Sequence, residues 1–402
     1  MPPIEEGRYT TLHPNGYDTL QDALKFTVME KDGVTVRPKR VSDSYPTRYV
    51  TFSLPDRLKL VQANAASIAK TREALAQQYR FPPHNTDTHV GKPLRDQAYM
   101  LIIAGETYAD SGNLPEASRC ILDAIELGVT IPHGGGIMPF LWGTACENMG
   151  MAALNRLLEK LDAKTARAAA DRLARIEQKR TPFPEILYQE NHGLHHEMEK
   201  LFTQSPLTAW RNIGTNYYGV STFTSALLGE TGGGNPSLAD KARLVGLQTL
   251  VTYQGPGPTI TKLDDWMHTL AEQSKLPWGP QRPALKEPNG NVLAQFIGPV
   301  FTWTEFKDVQ ARTNLVLVKT KLRLRATFLE TGCYPAKLEN LPSDPFSPTR
   351  SPLKYRSDGQ TFTLWSVGPD AADNGGTPPP PPDSDKTRKP AIHVDTQGDI
   401  LA

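Results

Sequence analysis

The placing of proline and glycine does most to limit what this chain can fold into. Proline has no backbone N–H and its ring clashes with the preceding helical turn, so it is tolerated in the first turn of a helix and little beyond it. Breaks fall at Pro82, Gly112-Asn113-Leu114, Thr181-Pro182-Phe183-Pro184, Gly255-Pro256-Gly257-Pro258, Pro277 to Asn291 and Gly332. Most of the stretches between them carry apolar residues at helical spacing. A chain divided in this way is expected to be mostly α-helical, built from helical hairpins, with its character changing only near the C-terminus.

Residues 1–55 read as a lead-in segment, with a short helix over Tyr17 to Phe26 and an extended stretch from Val34 to Phe52. Residues 56–290 form the helical region. Ser53 with Asp56 has the pattern of a capping box, and Leu58, Val61, Ala65, Ile68 and Leu75 share one face of a helix that ends before Pro82. Leu94 to Ser111 and Pro115 to Leu127 are two antiparallel helices; Asn113 and Glu116 are placed to cap the second, and Gly128 is read as its stop. The stretch GETYADSGNLPEASRCILDAIELG in this hairpin resembles one tetratricopeptide repeat. No second copy recurs at a fixed period, so a groove of stacked repeats is not expected. Further helices are expected at Phe140 to Leu161, Ala163 to Lys179 and Pro184 to Phe202. Ser237 with Asp240 and Thr261 with Asp264 have the pattern of helix starts, while Thr208 to Gly234 is undecided.

Composition narrows the function classes. With 38% hydrophobic and 22% charged residues and a net charge of +1, the chain has the profile of a globular protein and not of a dedicated nucleic-acid binder. Cys120, Cys146 and Cys333 show no Cys-x-x-Cys spacing, so neither a zinc ribbon nor a disulfide framework is indicated; Cys120 and Cys146 would be able to pair only in an exported protein. The opening MPPIEEGRYTTLHPNG lacks the basic flank and apolar run of a secretory signal. The longest uncharged stretch, Leu127 to Cys146, contains Pro132, His133, the run Gly134-Gly135-Gly136 and Pro139, so no transmembrane helix is expected.

Residues 291–402 form the second region: a long helix from Val292 or Thr302 to Glu330, then a small antiparallel sheet. Gly332 stops the helix, Tyr334-Pro335 turns the chain, and Leu353 to Arg356 and Thr361 to Ser366 alternate as a hairpin around Asp358-Gly359. A Pro-rich insertion spans 377–390, with Pro378 to Pro382 suited to polyproline II.

The run ETGCYPAKLENLPSDPFSPTRSPLKYRSDGQTFTLWSVGPDAADNGG, with its closing GDI, is similar to the end of the major pseudopilins of type II secretion. That family has a Gly-x-Tyr-Pro turn, an Asp-Pro-(Trp/Phe) segment, a Leu-(Tyr/Trp)-Ser-x-Gly-x-Asp strand and a terminal Asp-Ile. The similarity covers about one fifth of the chain. The segment NVLAQFIGP, the helix after it and the helical region before it resemble larger uncharacterised bacterial proteins that end in the same module. The resemblance implies an α+β pseudopilin-like module. It also implies calcium held by the backbone oxygen of Val367 and the carboxylates of Asp370 and Asp399, with Asp373 as a substitute ligand. Calcium takes six to eight oxygens and tolerates irregular geometry. Read from composition alone, Asp370, Asp373, Asn374 and the following glycines would equally make Asx turns. An apolar N-terminal polymerisation helix, which the family needs, does not precede this module. Lys319, Lys321, Arg323 and Arg325 spread cations around the long helix, and they read as solvated heads on buried stems. The role implied is that of a non-enzymatic structural or interaction protein with protein partners, placed outside the cytoplasm by analogy and linked to type II secretion or pilus-like systems.

The alternative is a hydrolase, metal-dependent or serine, using the His- and Gly-rich loops. In ENHGLHHE, His192 and His196 lie four apart near Glu190, His195 and Glu197, yet His-Glu-x-x-His is not completed after His196-Glu197, and Gly193 weakens the helix. His133-Gly134-Gly135-Gly136 is similar to the oxyanion loop of some lipases. Its required Gly-x-Ser-x-Gly fails at Gly219-Val220-Ser221-Thr222-Phe223 and at Leu364-Trp365-Ser366-Val367-Gly368. Gly232-Gly233-Gly234 lacks the Lys-Ser/Thr of a phosphate loop. No catalytic residue is assigned.

Overall fold

The computed structural model describes residues 13–35, 52–82, 90–202, 253, 256–279, 282, 292–380, 392–394 and 396–402. The expectations for Thr208 to Gly234, for Ser237 with Asp240, and for Gly219 to Phe223 fall outside these residues. Among them are ten α-helices and a small three-stranded antiparallel sheet near the C-terminus.

Side-chain caps set where the first helices begin. Asn15 Oδ1 accepts from the Tyr17 amide at 3.0 Å to open α1 (Gly16–Lys25), and from the Arg80 amide at 2.9 Å. The same cap therefore fastens α1 to the chain beyond α3. Asp32 and Gly33, both at positive φ, turn a short hairpin between β1 (Glu30–Lys31) and β2 (Val34–Thr35). Tyr17, Leu20, Ala23 and Val34 are buried in the main core, so residues 13–35 of the lead-in segment are part of the packed body.

The sequence period from Ser53 reads as one helix, but the structure divides it into α2 (Leu54–Ala63) and α3 (Ala65–Ala76). Asn64 is the cause. Its amide accepts from Val28 N at 2.8 Å and donates to Val28 O at 3.0 Å and Leu60 O at 2.9 Å, which holds its backbone out of the helical region.

The expected hairpin is α4 (Gly91–Asp110) and α5 (Leu114–Thr130), with Asn113 Oδ1 accepting from Glu116 N. A Cβ on Gly105 would come within 2.9 Å of Ala117 O, so small residues do sit where these two helices approach. Gly128, however, does not stop α5. It faces Gly143 of α6 (Ile137–Leu157), and a Cβ there would meet Gly143 O at 2.6 Å and overlap Glu147 N. The glycine serves close helix crossing, a use that a sequence cannot distinguish from a C-cap.

A 3₁₀ turn (Leu158–Lys160) leads to α7 (Ala163–Gln178), capped by Asp162, and then to α8 (Phe183–Phe202). The next described helix, α9, runs Pro256–Gln273, so Pro256-Gly257-Pro258 forms its first turn and the start expected at Thr261 is corrected to Pro256. A smaller core of Phe140, Phe183, Ile186, Leu187, Trp266 and Phe301 packs α8 and α9 together.

Helix α10 (Val292–Thr331) is continuous and lies against α7 and α6. Its cations are docked more than solvated: Lys319 bonds Glu177, Lys321 donates to Asn155 Oδ1 at 2.8 Å, and Arg325 donates to Glu159 O at 2.9 Å. Near its end, Glu330 accepts a forked pair of bonds from Arg167. The three cysteines are free, and burial pushes the Cys120 and Cys146 thiols up to about 12, leaving them unreactive core residues at neutral pH. No helix among the described residues is long and apolar enough to cross a membrane.

The sheet has the order β3 (Lys354–Ser357), β4 (Phe362–Ser366), β5 (Ile400–Leu401), all antiparallel. Lys354 pairs with Trp365 and Ser357 with Phe362; Ser366 pairs with Ile400. Asp358 Oδ1 accepts from the Gln360 and Thr361 amides in the hairpin turn. Leu353, Leu364, Val367 and Ile400 join Phe306, Leu315 and Phe346 in the main core, which seats the sheet on α10.

Candidate functional site

The C-terminal strand is two residues long, and two pairings cannot hold a strand by themselves. The residue before it supplies what the ladder lacks. Asp399 is 0% exposed, and its carboxylate accepts three backbone N–H groups: Asn374 on Oδ1 at 3.2 Å, and Gly376 and Thr377 on Oδ2 at 2.7 and 3.2 Å. Its own amide donates to Thr377 O at 2.9 Å. Gly375 and Gly376 carry positive φ, which lets these successive amides converge on one carboxylate.

Asp370 reaches the same place from the end of the β4 loop. Its Oδ2 accepts from Gly398 N at 3.2 Å and its Oδ1 from Ala372 N at 3.3 Å. Asp370 is therefore tied to the residue that precedes Asp399, although the Pro-rich insertion lies between them in sequence. Glycine is required at Gly398, where φ is 110° and a Cβ would come within 2.9 Å of Pro379 N, and at Gly368, where φ is 75° and a Cβ would overlap the Gly398 carbonyl. The first prolines of the insertion thus lie against the tail at Gly398.

Asp373 is directed elsewhere. Its Oδ1 accepts from Trp365 Nε1 at 3.0 Å and Gly375 N at 3.1 Å, and its Oδ2 lies 3.4 Å from Lys354 Nζ. The Trp365 hydrogen bond is the main reason its carboxyl sits below the usual range. Val367 is buried, with its N–H donated to Asp344 Oδ2 at 2.8 Å.

Sequence reasoning assigned no role to Asp344, which organises this end of the sheet. It accepts from Val367 N, from Ser366 Oγ at 2.7 Å and from Phe346 N at 3.0 Å, and it is 1% exposed. Burial pushes the carboxyls of Asp344 and Asp399 above the usual range, against the pull of their hydrogen bonds. The available signal was the Asp344-Pro345-Phe346 motif, because an aspartate before proline that caps the residue two places on is an Asx turn.

The donor set is all oxygen, which suits a hard cation and no softer metal. In this conformation the carboxylates are occupied by N–H groups, and no group of three or more His, Cys, Asp or Glu among the described residues is arranged to hold a metal ion. Of the predicted ligands, Asp370 accepts from the residue before Asp399, while Asp373 is spent on Trp365 and Lys354.

The histidine-rich segments have structural partners. His195 Nε2 lies 2.5 Å from Asp264 Oδ1 on α9, which also accepts from Asn191 Nδ2 at 2.7 Å. His133 holds Thr130 O at 2.9 Å through Nδ1 and accepts from Phe81 N through its own carbonyl, and burial lowers its pKa. Gly136 is the N-cap of α6, next to Glu190, whose half-buried carboxylate accepts from Ile137 N at 2.8 Å. Ser366 Oγ donates to Asp344 and lies in a sheet, not on a nucleophile elbow. Comparison with known protein families, curated proteins and solved structures gives no match to this chain.

Proposed function

We propose that this chain is a non-enzymatic structural or interaction protein whose C-terminal module is pseudopilin-like and closes around calcium. The ligands in this reading are the Val367 carbonyl and the carboxylates of Asp370 and Asp399, with Asp373 as a substitute oxygen. The observation that supports it is that Asp370 accepts from the N–H of Gly398, the residue before Asp399, across the Pro-rich insertion. Calcium would supply a cross-link between strand end and tail, and no catalytic step. The chain's own residues do the rest: Asp344 fixes the Val367 turn, and the Asn374, Gly376 and Thr377 amides hold the tail carboxylate in place. By the same resemblance the protein acts outside the cytoplasm, with protein partners from a type II secretion or pilus-like system.

Metal analysis of the purified chain, with melting curves in calcium and in chelator, tests this reading. Calcium at a hundred times its dissociation constant should stabilise the fold by about 2.7 kcal/mol. The gain should disappear in Asp370→Asn. A melting curve that calcium and chelator leave in the same place removes the calcium claim. Stoichiometric zinc, lost on His192→Ala or His196→Ala, would replace this reading with the hydrolase.

A further inference from the structure

A cavity of ≈ 590 Å³ lies where the turn before α8, the residues after α9, helix α10 and the 343–350 loop come together. Its wall contains four buried polar atoms with no hydrogen-bond partner among the described residues: Arg180 Nε, Thr181 Oγ1, Arg282 Nε and Asp308 Oδ1. Buried polar groups are nearly always satisfied, and several orphans around one cavity mark a place that something polar fills. Asp308 is 4% exposed, with Arg180 Nη1 3.9 Å from Oδ1 and Arg312 Nη1 3.7 Å from Oδ2.

Charge decides what chemistry suits it. Arg180 is neutralised by Glu147, Arg282 by Glu305 at 2.7 Å, and Lys275 by Glu272 at 2.5 Å. Among the described residues, the Arg350 guanidinium meets only the Lys275 carbonyl, at 3.5 Å, and that of Arg312, half exposed, only Asp308. The lining therefore carries two guanidinium groups, Arg312 and Arg350, beside the Asp308 carboxylate; a further lining carboxylate, Asp344, is taken up by Ser366 Oγ and the Val367 and Phe346 amides. Guanidinium forks suit oxyanions, while a buried carboxylate beside them accepts only from a donor.

We propose that this cavity binds a small oxyanion that also carries a hydroxyl, a hydrogen-phosphate group or a hydroxycarboxylate, with Arg312 and Arg350 on the oxyanion and Asp308 accepting from the hydroxyl. The proposal uses none of the calcium-loop ligands and stands without them.

Calorimetric titration of the full chain with phosphate, sulfate, tartrate and succinate, at constant ionic strength in chelator, tests it. One saturable site is expected, with phosphate at least about tenfold tighter than sulfate, or tartrate than succinate, since a site built around a hydroxyl rejects the analogue lacking it. The tighter pair identifies the source, phosphoryl or hydroxycarboxylate. Asp308→Asn keeps the shape and should shrink that preference by removing the charge that repels the analogue. Arg312→Gln, at an exposed position, should weaken the favoured ligand about tenfold. Absence of saturable binding, binding without preference for the hydroxyl, or affinities that neither substitution changes would overturn the proposal.

Discussion

Replacing Asp399 by alanine removes the acceptor for three backbone N–H groups at once. Hydrogen bonds to a charged group contribute about 1.5 kcal/mol or more each, so a gross loss of about 4.5 kcal/mol is the starting figure. Water entering the space of the lost side chain returns part of this, which leaves about 2–3 kcal/mol. The loss should be local, because β5 has only two paired residues and can detach while the helices stay folded. A change of about 2.5 kcal/mol raises the opening equilibrium roughly seventyfold. Hydrogen exchange at the Gly376, Thr377 and Ala402 amides should accelerate by about that factor, while amides in the middle of α5 and α6 keep their wild-type rates. Asp399→Asn should cost nearly as much. Whichever way its amide is turned, the NH₂ faces an N–H, since Oδ1 serves Asn374 and Oδ2 serves Gly376 and Thr377. Unchanged exchange at those three amides in the alanine variant would refute the view that this carboxylate holds the tail.

Two glycine substitutions should move stability in opposite directions in urea denaturation. Gly128→Ala should cost about 1–3 kcal/mol or more by driving a Cβ into the α6 backbone, whereas Gly193→Ala, with open space around its Cβ position inside α8, should gain about 0.5–1 kcal/mol. Glu147→Ala strands the buried Arg180 guanidinium and should cost about 3–5 kcal/mol, most of it recovered when Arg180→Met is added. For Asp344, whose folded pKa is raised by burial, the stabilisation due to protonation is complete below its unfolded value of about 3.9 and is lost as pH rises through the folded value. The stability gap between wild type and Asp344→Asn should therefore narrow from acid towards neutral pH; a gap that widens would show the sign to be wrong.

Most of the helices were legible because period and caps agree there. Asn113 and Asp162 cap where the sequence puts a helix start, and the β3–β4 hairpin turns at Asp358-Gly359. The failures share one cause: a residue with a long-range partner was read by its local habit. Asn64 divides a helix because Val28 lies opposite it, Gly128 is a packing glycine because Gly143 crosses there, and Asp264 accepts from His195 and Asn191 instead of opening a helix. At the candidate site, motif position singled out Asp370 and Asp399. It passed over Asp344, whose role depends on strand β4 passing above it, and it could not foresee that Trp365 would draw Asp373 aside.

Calcium titration by isothermal calorimetry, into the full chain and into Asp370→Asn, tests the central claim most directly. The account predicts one saturable calcium site, little competition from an equal concentration of magnesium because the irregular loop does not offer octahedral geometry, and loss of the site in the variant. No calcium heat in the wild type, or equal binding by both proteins, would contradict it.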